Sequence, residues 1–586
     1  MGECNTVFAP IRALTVDDRL LTDQNQLEPK ALWQEGFKKQ STKTDLDHRL
    51  PDIRCLIPMR TPPVIQTYFD REWRTAVGLL LISLVPILSF PNNTLGAETA
   101  AASRPNILVI VSEDNGQELG CYGNQHVKTP VLNGLAAEGV RFHNAYVPQA
   151  GCSQSRAAYL TGLYPHQNGQ IGLATWKFRM YDEAQPNLVR SLHDAGYRTG
   201  IIGKIHVNPK TAFPFDFKQI TTSNFARKKL KSYAKEASAF FTESSQPFFL
   251  AVNYPDAHRP FINQVEGIPA KPLTGSDVPP LDYMGLDSTQ LRAETASYYN
   301  CMNRLDHLIG DLLTQLRESG KEKDTLVVYF GDHGADLLRG KRTSYEGGIR
   351  VPLIIRWPGF TQPGTVRSEL VSTLDLMPTL LEAAGLAVPD SLAGRSLKPL
   401  LKQQQADWRE YLYTEYHLHS AHNFFPQRTV RDSRYKLIQN LQPDEINPGY
   451  SFTIKRFFED LPAVIQAAPS RVRTAYRLME KPPQFELYDL TEDPWEFENL
   501  AADEEHFETL KRLTGKLDQW RQQTNDPLLD PELAARLRSE VEACFVDGTP
   551  KKDSLELNYP NFFSVNRGTK PGSVPVDPPA QPGDGK

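Results

Sequence analysis

Cysteine is scarce in this chain. Six occur in 586 residues, Cys4, Cys55, Cys121, Cys152, Cys301 and Cys544, without CxxC spacing or a paired framework, which excludes a zinc ribbon and a disulfide-stapled scaffold. An excess of one charge is also missing. Lys and Arg number 65 against 70 Asp and Glu, a net charge of −5, so the chain is neither a nucleic-acid binder held by overall charge nor an acidic disordered protein. Any anion it binds must meet a local cluster of cations. No internal repeat is visible, and the extended apolar run Ala76 to Phe90 is too short for a stable membrane span and contains Pro86. What is present is ample core material, 40% hydrophobic residues, enough for two domains.

That apolar run follows Arg71-Glu-Trp-Arg74 and precedes the small-residue stretch Gly96 to Ala102. A basic flank, an apolar core and small residues describe a secretory signal peptide, spanning about residues 71–102 and cleaved near 96–102. Met59 and Arg60 lie just upstream, so residues 1–58 read as a mis-assigned start or an extension. The mature protein is then exported, to a periplasm or outside the cell. Cys121, Cys152, Cys301 and Cys544 remain in an oxidising compartment, with no pairing assignable from sequence.

From Arg104 onward, short β-rich runs alternate with helical patterns. The strands are Asn106–Ser112, Thr199–Ile202, Pro247–Asn253, Thr325–Phe330 and Val351–Ile355; the helices lie near Pro130–Glu138, Leu188–Ala195 and Ser288–Ser319. Such alternation predicts an α/β fold, a large, mainly parallel sheet sandwiched by helices. After about residue 385 the pattern shifts to short β segments at Tyr411–Thr414, Tyr435–Asn440 and Phe485–Leu490, with a helix near Glu505–Gln523. The expected division is 1–102 extension and signal, 103–385 large domain, 386–545 smaller C-terminal α+β domain, and 546–586 extended or disordered tail, rich in Pro and Gly from Gly568.

Two strands end in acidic, glycine-flanked segments: Ser112-Glu113-Asp114-Asn115-Gly116 and Gly331-Asp332-His333-Gly334. Ligands of open α/β sheets bind at the carboxyl ends of strands. Three carboxylates meeting there would repel one another unless a cation sat between them, and Ca²⁺ tolerates such irregular oxygen-rich sites better than Mg²⁺. For one segment alone, a helix-capping role would suffice; two make a metal site the better reading. Lys204, His206, His258, Arg259, Lys341 and Arg342 follow or approach other strand ends in turn-forming sequence. Together they suit a tetrahedral oxyanion. Between the acidic segments, Cys152-Ser-Gln-Ser-Arg156 stands at an expected helix start, where backbone N–H groups and Arg156 favour an anion.

Cys152-x-x-Ser-Arg-Ala-x-x-x-Thr-Gly162 resembles the signature of the type I sulfatases of the alkaline-phosphatase-like superfamily. Arg104-Pro-Asn, Gly203-Lys-x-His206, Asp332-His-Gly and Tyr345-Glu-Gly-Gly-x-Arg-Val-Pro352 fall in that family's order. Arg198 to Val207, Pro214-Phe-Asp-Phe217, His258-Arg259, Phe425-Pro-Gln-Arg428, Glu486 to Pro494 and Gln519 to Pro527 are similar to its sulfamidase branch, which cleaves N-sulfoglucosamine. Gln154 departs from the Pro or Ala usual at its position, Glu113 from the usual Asp, and His333 from the Asn of many relatives.

The resemblance implies a formylglycine made from Cys152, an alkaline-phosphatase-like fold, and a metal held by Glu113, Asp114, Cys152, Asp332 and His333. It implies catalysis with Arg156, Lys204, His206, His258 and Lys341, the two histidines competing for the proton-donor role, and a sugar pocket with Arg259, His417, His419 and Arg428. Implied partners are a sulfated saccharide and a formylglycine-generating or other sulfatase-maturing enzyme, with a homodimer allowed and no nucleic acid. The expected activity is sulfate removal from sulfated sugars, N-sulfoglucosamine first and a sugar O-sulfate ester second. A phosphoester or phosphonate hydrolase and a non-catalytic glycan binder are the further alternatives.

Overall fold

The computed structural model describes residues 104–565, Ser244 excepted; the signal segment and the end of the tail lie outside the described residues. Asn106–Ser112 (β1), Val140–Phe142 (β2), Arg198–Ile202 (β3), Phe217–Gln219 (β4), Phe248–Tyr254 (β5), Thr325–Gly331 (β6), Leu353–Arg356 (β7) and Thr365–Arg367 (β8) form one eight-stranded sheet. Its order is β4-β3-β5-β1-β6-β7-β2-β8. β7 pairs antiparallel with both β6 and β2; the other pairings are parallel.

Both faces are covered, which explains why β1 reads as a continuous apolar run rather than an alternating one. Leu108 and Ile110 enter one layer, while Ile107, Val109 and Val111 enter the opposite one. Helices Pro130–Glu138 (α1), Ser232–Thr242 (α4) and Thr289–Glu318 (α5) fill the first layer, and Cys152–Thr161 (α2), Leu188–Asp194 (α3) and Leu376–Ala383 (α6) fill the second. The mainly parallel sheet between helices is the fold class expected from the alternation of elements.

α5 begins where Ser288 caps the Leu291 N–H at 3.2 Å, and its apolar side chains recur at helical spacing against the sheet. α1 lacks a side-chain cap of its own. The α5 carboxylate Asp306 supplies one instead, accepting from Val131 N at 3.1 Å and Leu132 N at 2.8 Å. Burial pushes that carboxyl up to about 6, although the two N–H donors oppose the shift.

Leu412–Tyr416 (β9), Gln427–Arg431 (β10), Tyr435–Asn440 (β11) and Phe485–Asp489 (β12) build a second, wholly antiparallel sheet. Between β11 and β12 lie Pro448–Arg456 (α7) and Ser470–Glu480 (α8); Phe507–Gln523 (α9) and Pro531–Glu542 (α10) follow. Leu513, Leu517 and Trp520 of α9 pack on Val430, Leu437 and Leu487 of this sheet.

Several elements differ from expectation. The strand expected from Val351 begins at Leu353, because Pro352 has no N–H to donate. β10 was not expected: Gln-Arg-Thr-Val-Arg reads as a polar loop, yet all five residues are buried between flanking strands and neighbouring helices. The tail expectation fails for residues 546–565, which contain a short hairpin strand pair and the helix Tyr559–Val565. Tyr559 Oη ties that helix to the Gly169 and Arg179 carbonyls at 2.8 and 2.7 Å.

Asp306→Ala should remove the cap from α1 and lower unfolding free energy by about 1–2 kcal/mol. Chemical denaturation reads this directly; an unchanged midpoint would show that the cap contributes nothing.

Candidate active site

The carboxyl ends of β1, β3, β5 and β6 converge on one cleft, and short backbone bonds lock them together. Asp332 N donates to Ser112 O at 2.9 Å, Glu113 N to Asp256 O at 3.1 Å, and Ala257 N to Glu113 O at 2.6 Å. Such approach leaves no room for side chains at two junctions. A Cβ on Gly203, whose φ is +95°, would lie 2.2 Å from Asn253 O, and one on Gly331 would lie 2.0 Å from Asn115 O. The glycines at these strand ends are therefore required by the crossing itself.

Cys152 opens α2, its Sγ 3.3 Å from His333 Nε2 and 4.0 Å from Asp114 Oδ1. Arg156, one turn later and buried, is the hub. Its Nε donates to Asp332 Oδ2 at 3.1 Å, its Nη2 to Glu113 Oε1 at 3.2 Å, and its Nη1 to Asn253 Oδ1 at 2.6 Å. Lys204 pairs with Glu113 Oε1, and Lys341 straddles Asp114 with 2.9 Å bonds to both oxygens. Three buried carboxylates thus face three buried cations.

The electrostatics follow from this crowding. Burial pushes the Cys152 thiol up to about 12, Lys341 resisting while Asp332 and Asp114 add to the rise. Burial also opposes ionisation of Asp332, but His333, Arg156 and the two lysines outweigh it and hold the carboxyl at about 2. Burial draws the Lys204 ammonium down to about 7 even with Glu113 and Asp332 beside it. His206, His258 and His419 are pushed well below the usual histidine range, first by burial and then by a shared field that includes Lys341 in every case. Three neutral imidazoles around one lysine describe a cleft of positive potential, suited to an anion.

The structure brings most of the expected residues together. Ligand atoms of Asp114, Cys152 and His258 lie within 4.8 Å of one another, as do those of Cys152, Asp332 and His333. His258 Nδ1 contacts the Arg259 carbonyl at 2.5 Å, so it carries the proton and the neutral ring offers a lone pair at Nε2. Both ring nitrogens of His206 lack partners, as does Nε2 of His419. Arg259 stands at the rim, donating to Asp336 O at 2.9 Å and pairing with Glu294 at 2.7 Å.

One expected sugar contact, Arg428, is already committed to protein partners. Arg428 is buried, with Nε and Nη2 on Asp526 at 2.9 and 2.8 Å and Nη1 on backbone carbonyls. His417 is buried and faces Glu415 at 3.4 Å. Arg428 is thereby spent on protein partners, whereas the buried Nδ1 of His417 has no hydrogen-bond partner. Gln154 is structural: its amide donates to Leu418 O at 2.7 Å and Ile171 O at 3.2 Å, tying α2 to the chain beyond β9.

Sequence reasoning missed Asn253, Phe225 and Asp256. Asn253 lies inside β5, one residue before its end, whereas Glu113 and Asp332 directly follow their strands, so the rule that found those two does not pick it out. Phe225 stacks on His258 with centroids 4.0 Å apart; it sits in irregular backbone that has no periodic signal. Asp256 receives Arg227 Nε at 3.0 Å and two bonds from Arg304 at 2.8 and 2.7 Å, a clamp that fixes the turn carrying His258.

The donor set fits a divalent cation. Glu113 Oε2 is buried without a hydrogen-bond partner, and burial pushes Asp114 up despite Lys341. An oxygen left without a donor beside a carboxylate disfavoured by burial is where a metal ion would be bound, and the neighbouring donors are hard oxygens with the imidazoles of His258 and His333. Among the described residues, Cys121, Cys152, Cys301 and Cys544 are all free thiols.

Comparison with known proteins agrees with this geometry. The family model described as sulfatase matches residues 105–386, and that described as N-sulphoglucosamine sulphohydrolase, C-terminal, matches residues 331–448. The chain is 33% identical to human N-sulphoglucosamine sulphohydrolase over 468 residues, covering 72% of this chain and 91% of that protein. It is 26% identical to an ulvan-active sulfatase of Formosa agariphila, covering 75% and 84%. A solved structure described as a complex with its substrate D-glucosamine-2-N,6-O-disulfate shares the fold at TM-score 0.53 and 22% identity, covering 72% of this chain and 99% of that one.

Arg428→Ala should lower unfolding free energy by about 3 kcal/mol, because it leaves a buried carboxylate short of a partner while Arg521 still holds Asp526. A melt at full stability with a raised KM would instead return Arg428 to the substrate pocket.

Proposed function

The chain belongs to the sulfatase family, and from that membership we propose an exported enzyme that removes sulfate from sulfated sugars, N-sulfated glucosamine foremost. Membership makes it a hydrolase of sulfuric esters or sulfamates. The substrate reading is supported by the human relative, whose name specifies N-sulphoglucosamine, and by the match to that protein's C-terminal region. No helix among the described residues is long and apolar enough to cross a membrane; export rests on the signal pattern at residues 71–102.

The observation that carries the reading is the state of Cys152. A thiol pushed up to about 12 is almost wholly protonated at neutral pH and inert as a nucleophile, yet it sits at the centre of the anion-binding cations. Conversion of Cys152 to formylglycine resolves this, since its hydrate supplies an oxygen nucleophile where the thiol cannot. Glu113, Asp114, Asp332 and His333, beside residue 152, would hold the divalent cation, calcium before magnesium, whose charge would draw a sulfate oxygen.

The chain's own groups do the rest. Arg156 joins His333 in holding Asp332 ionised and bonds both Asp332 and Glu113 in place. Lys204 and Lys341 set the charge that receives sulfate oxygens. His258, fixed by its backbone contact and grouped with Cys152, is favoured over His206 as the proton carrier: its free Nε2 would take the proton released as the nucleophile attacks, and the imidazolium so formed would hand it to the leaving nitrogen or oxygen. His419 and Arg259 would meet the sugar.

Cys152→Ala should abolish sulfate release while leaving the melting curve unchanged; retained turnover would sink the mechanism. In the wild type, mass spectrometry of the tryptic peptide Phe142–Arg156 should find an aldehyde in place of the thiol. Sulfate release should be fastest from N-sulfoglucosamine, slower from a sugar O-sulfate and negligible for phosphate from p-nitrophenyl phosphate. Preference for the O-sulfate would shift the specificity to the ester, and preference for phosphate would overturn the sulfatase reading. Asp332→Asn should cut bound divalent metal, measured by elemental analysis, by tenfold or more, roughly the range for losing an oriented ligand; unchanged metal content would remove Asp332 from the set.

A further inference from the structure

Between β4 and α4 the chain crosses the rim of the cleft. From Ser223 to Lys235 it carries Arg227, Lys228, Lys229, Lys231 and Lys235 and no acidic residue, in a chain whose net charge is −5. Its first part belongs to the site: Phe225 stacks on His258, and Lys204 Nζ lies 5.0 Å from the same ring. Arg227 turns inward and is buried, bonded to Asp256 and to the His258 carbonyl. The four lysines that follow turn outward and are exposed.

This segment is held rather than loose. Lys228 N donates to Asn224 Oδ1 at 2.9 Å, and Asn224 Nδ2 donates to Lys228 O at 3.0 Å. Asn224, Arg227 and Lys229 adopt φ of +50°, +51° and +54°, an unfavourable conformation for side-chain-bearing residues that local contacts must outweigh. α4 runs into β5, so its first turn stands at the same strand-end rim as the cleft. Lys231 and Lys235 are one turn apart on it and line a groove of about 450 Å³ between α4 and α5. The carboxylate on the far wall of that groove, Asp311, pairs with His307 at 4.0 Å.

Four exposed lysines that follow closely on the residue stacked against His258, the last two of them lining a groove, suit a polyanion. We propose that Lys228, Lys229, Lys231 and Lys235 form a docking strip for a sulfated polysaccharide chain, gripping sulfates beyond the sugar that occupies the cleft. The inference rests on the sulfated-sugar reading above and adds that the natural substrate is polymeric. Several weak charge contacts in series raise the residence of a chain near the site without touching the chemistry.

The test uses the full matured enzyme and a variant with all four lysines replaced, Lys228→Ser, Lys229→Ser, Lys231→Ser and Lys235→Ser. A second variant, Lys228→Ser with Lys229→Ser, serves if the first melts early. Binding is measured against immobilised heparin as a function of salt, and kcat/KM on heparin-derived chains and on monomeric N-sulfoglucosamine. The strip predicts roughly tenfold weaker heparin binding at low salt, a gap that closes near 1 M salt where the screening length is about 3 Å. It also predicts a similar loss of kcat/KM on chains and a change under twofold on the monomer. Unchanged heparin binding in the variants, or equal losses on chain and monomer, would overturn it. If the wild type binds heparin through these lysines but releases no sulfate from any substrate, the strip stands and the proposed reaction fails.

Discussion

Three buried carboxylates at the ends of adjacent parallel strands are the constraint on which the rest of the site depends. A carboxylate removed from water must meet compensating charge or take up a proton. Glu113, Asp114 and Asp332 meet Arg156, Lys204 and Lys341, each cation delivered from a different segment. Arg156 is central because one planar guanidinium reaches two carboxylates and Asn253 together, which a lysine could not do. The convergence in turn requires strand ends so close that glycine stands at Gly203 and Gly331.

The same crowding decides what Cys152 can be. Helix N-termini usually lower a thiol's pKa, and α2 presents one here, with Lys341 and Arg156 nearby. Burial and the two aspartates outweigh them and push the thiol up. A site this dry and this charged is therefore hostile to a thiolate and receptive to a doubly charged oxyanion that brings its own oxygens for the cations. The histidines report the same field from outside the carboxylate ring, each kept neutral by lysine and burial together.

Much of this was legible in the sequence because strand ends carry a strong local signal. The glycine-flanked acids after β1 and β6 and the basic residues after β3 were readable without the structure, as was the helix start at Cys152. The parallel sheet followed from continuous apolar runs such as Asn106–Ser112. The second sheet was harder. β10 is polar in every position but one, and only its neighbours on both sides make it a strand. Arg428 and Glu415 are buried there as partners, so charge that looked like a sugar contact is instead internal wiring. Clusters of buried ion pairs cannot be separated from ligand sites by sequence pattern, since both need the same residue types; the distance to Asp526 settles it for Arg428.

The second sheet still reaches the chemistry, by backbone rather than by side chain. Glu415 N donates to Pro148 O at 2.8 Å, Leu173 N to His419 O at 2.9 Å, and Gln154 holds Leu418 O from within α2. These bonds run from the segment bearing His419 to the segments on either side of Cys152. A shift of the second sheet would move His419 and strain α2 at once. The parallel sheet thus fixes where charge is stabilised, while the antiparallel sheet fixes which groups overlook it, and Gln154 is the stitch between them. Its departure from Pro or Ala then has a physical sense, because neither of those residues could donate to Leu418 from that position.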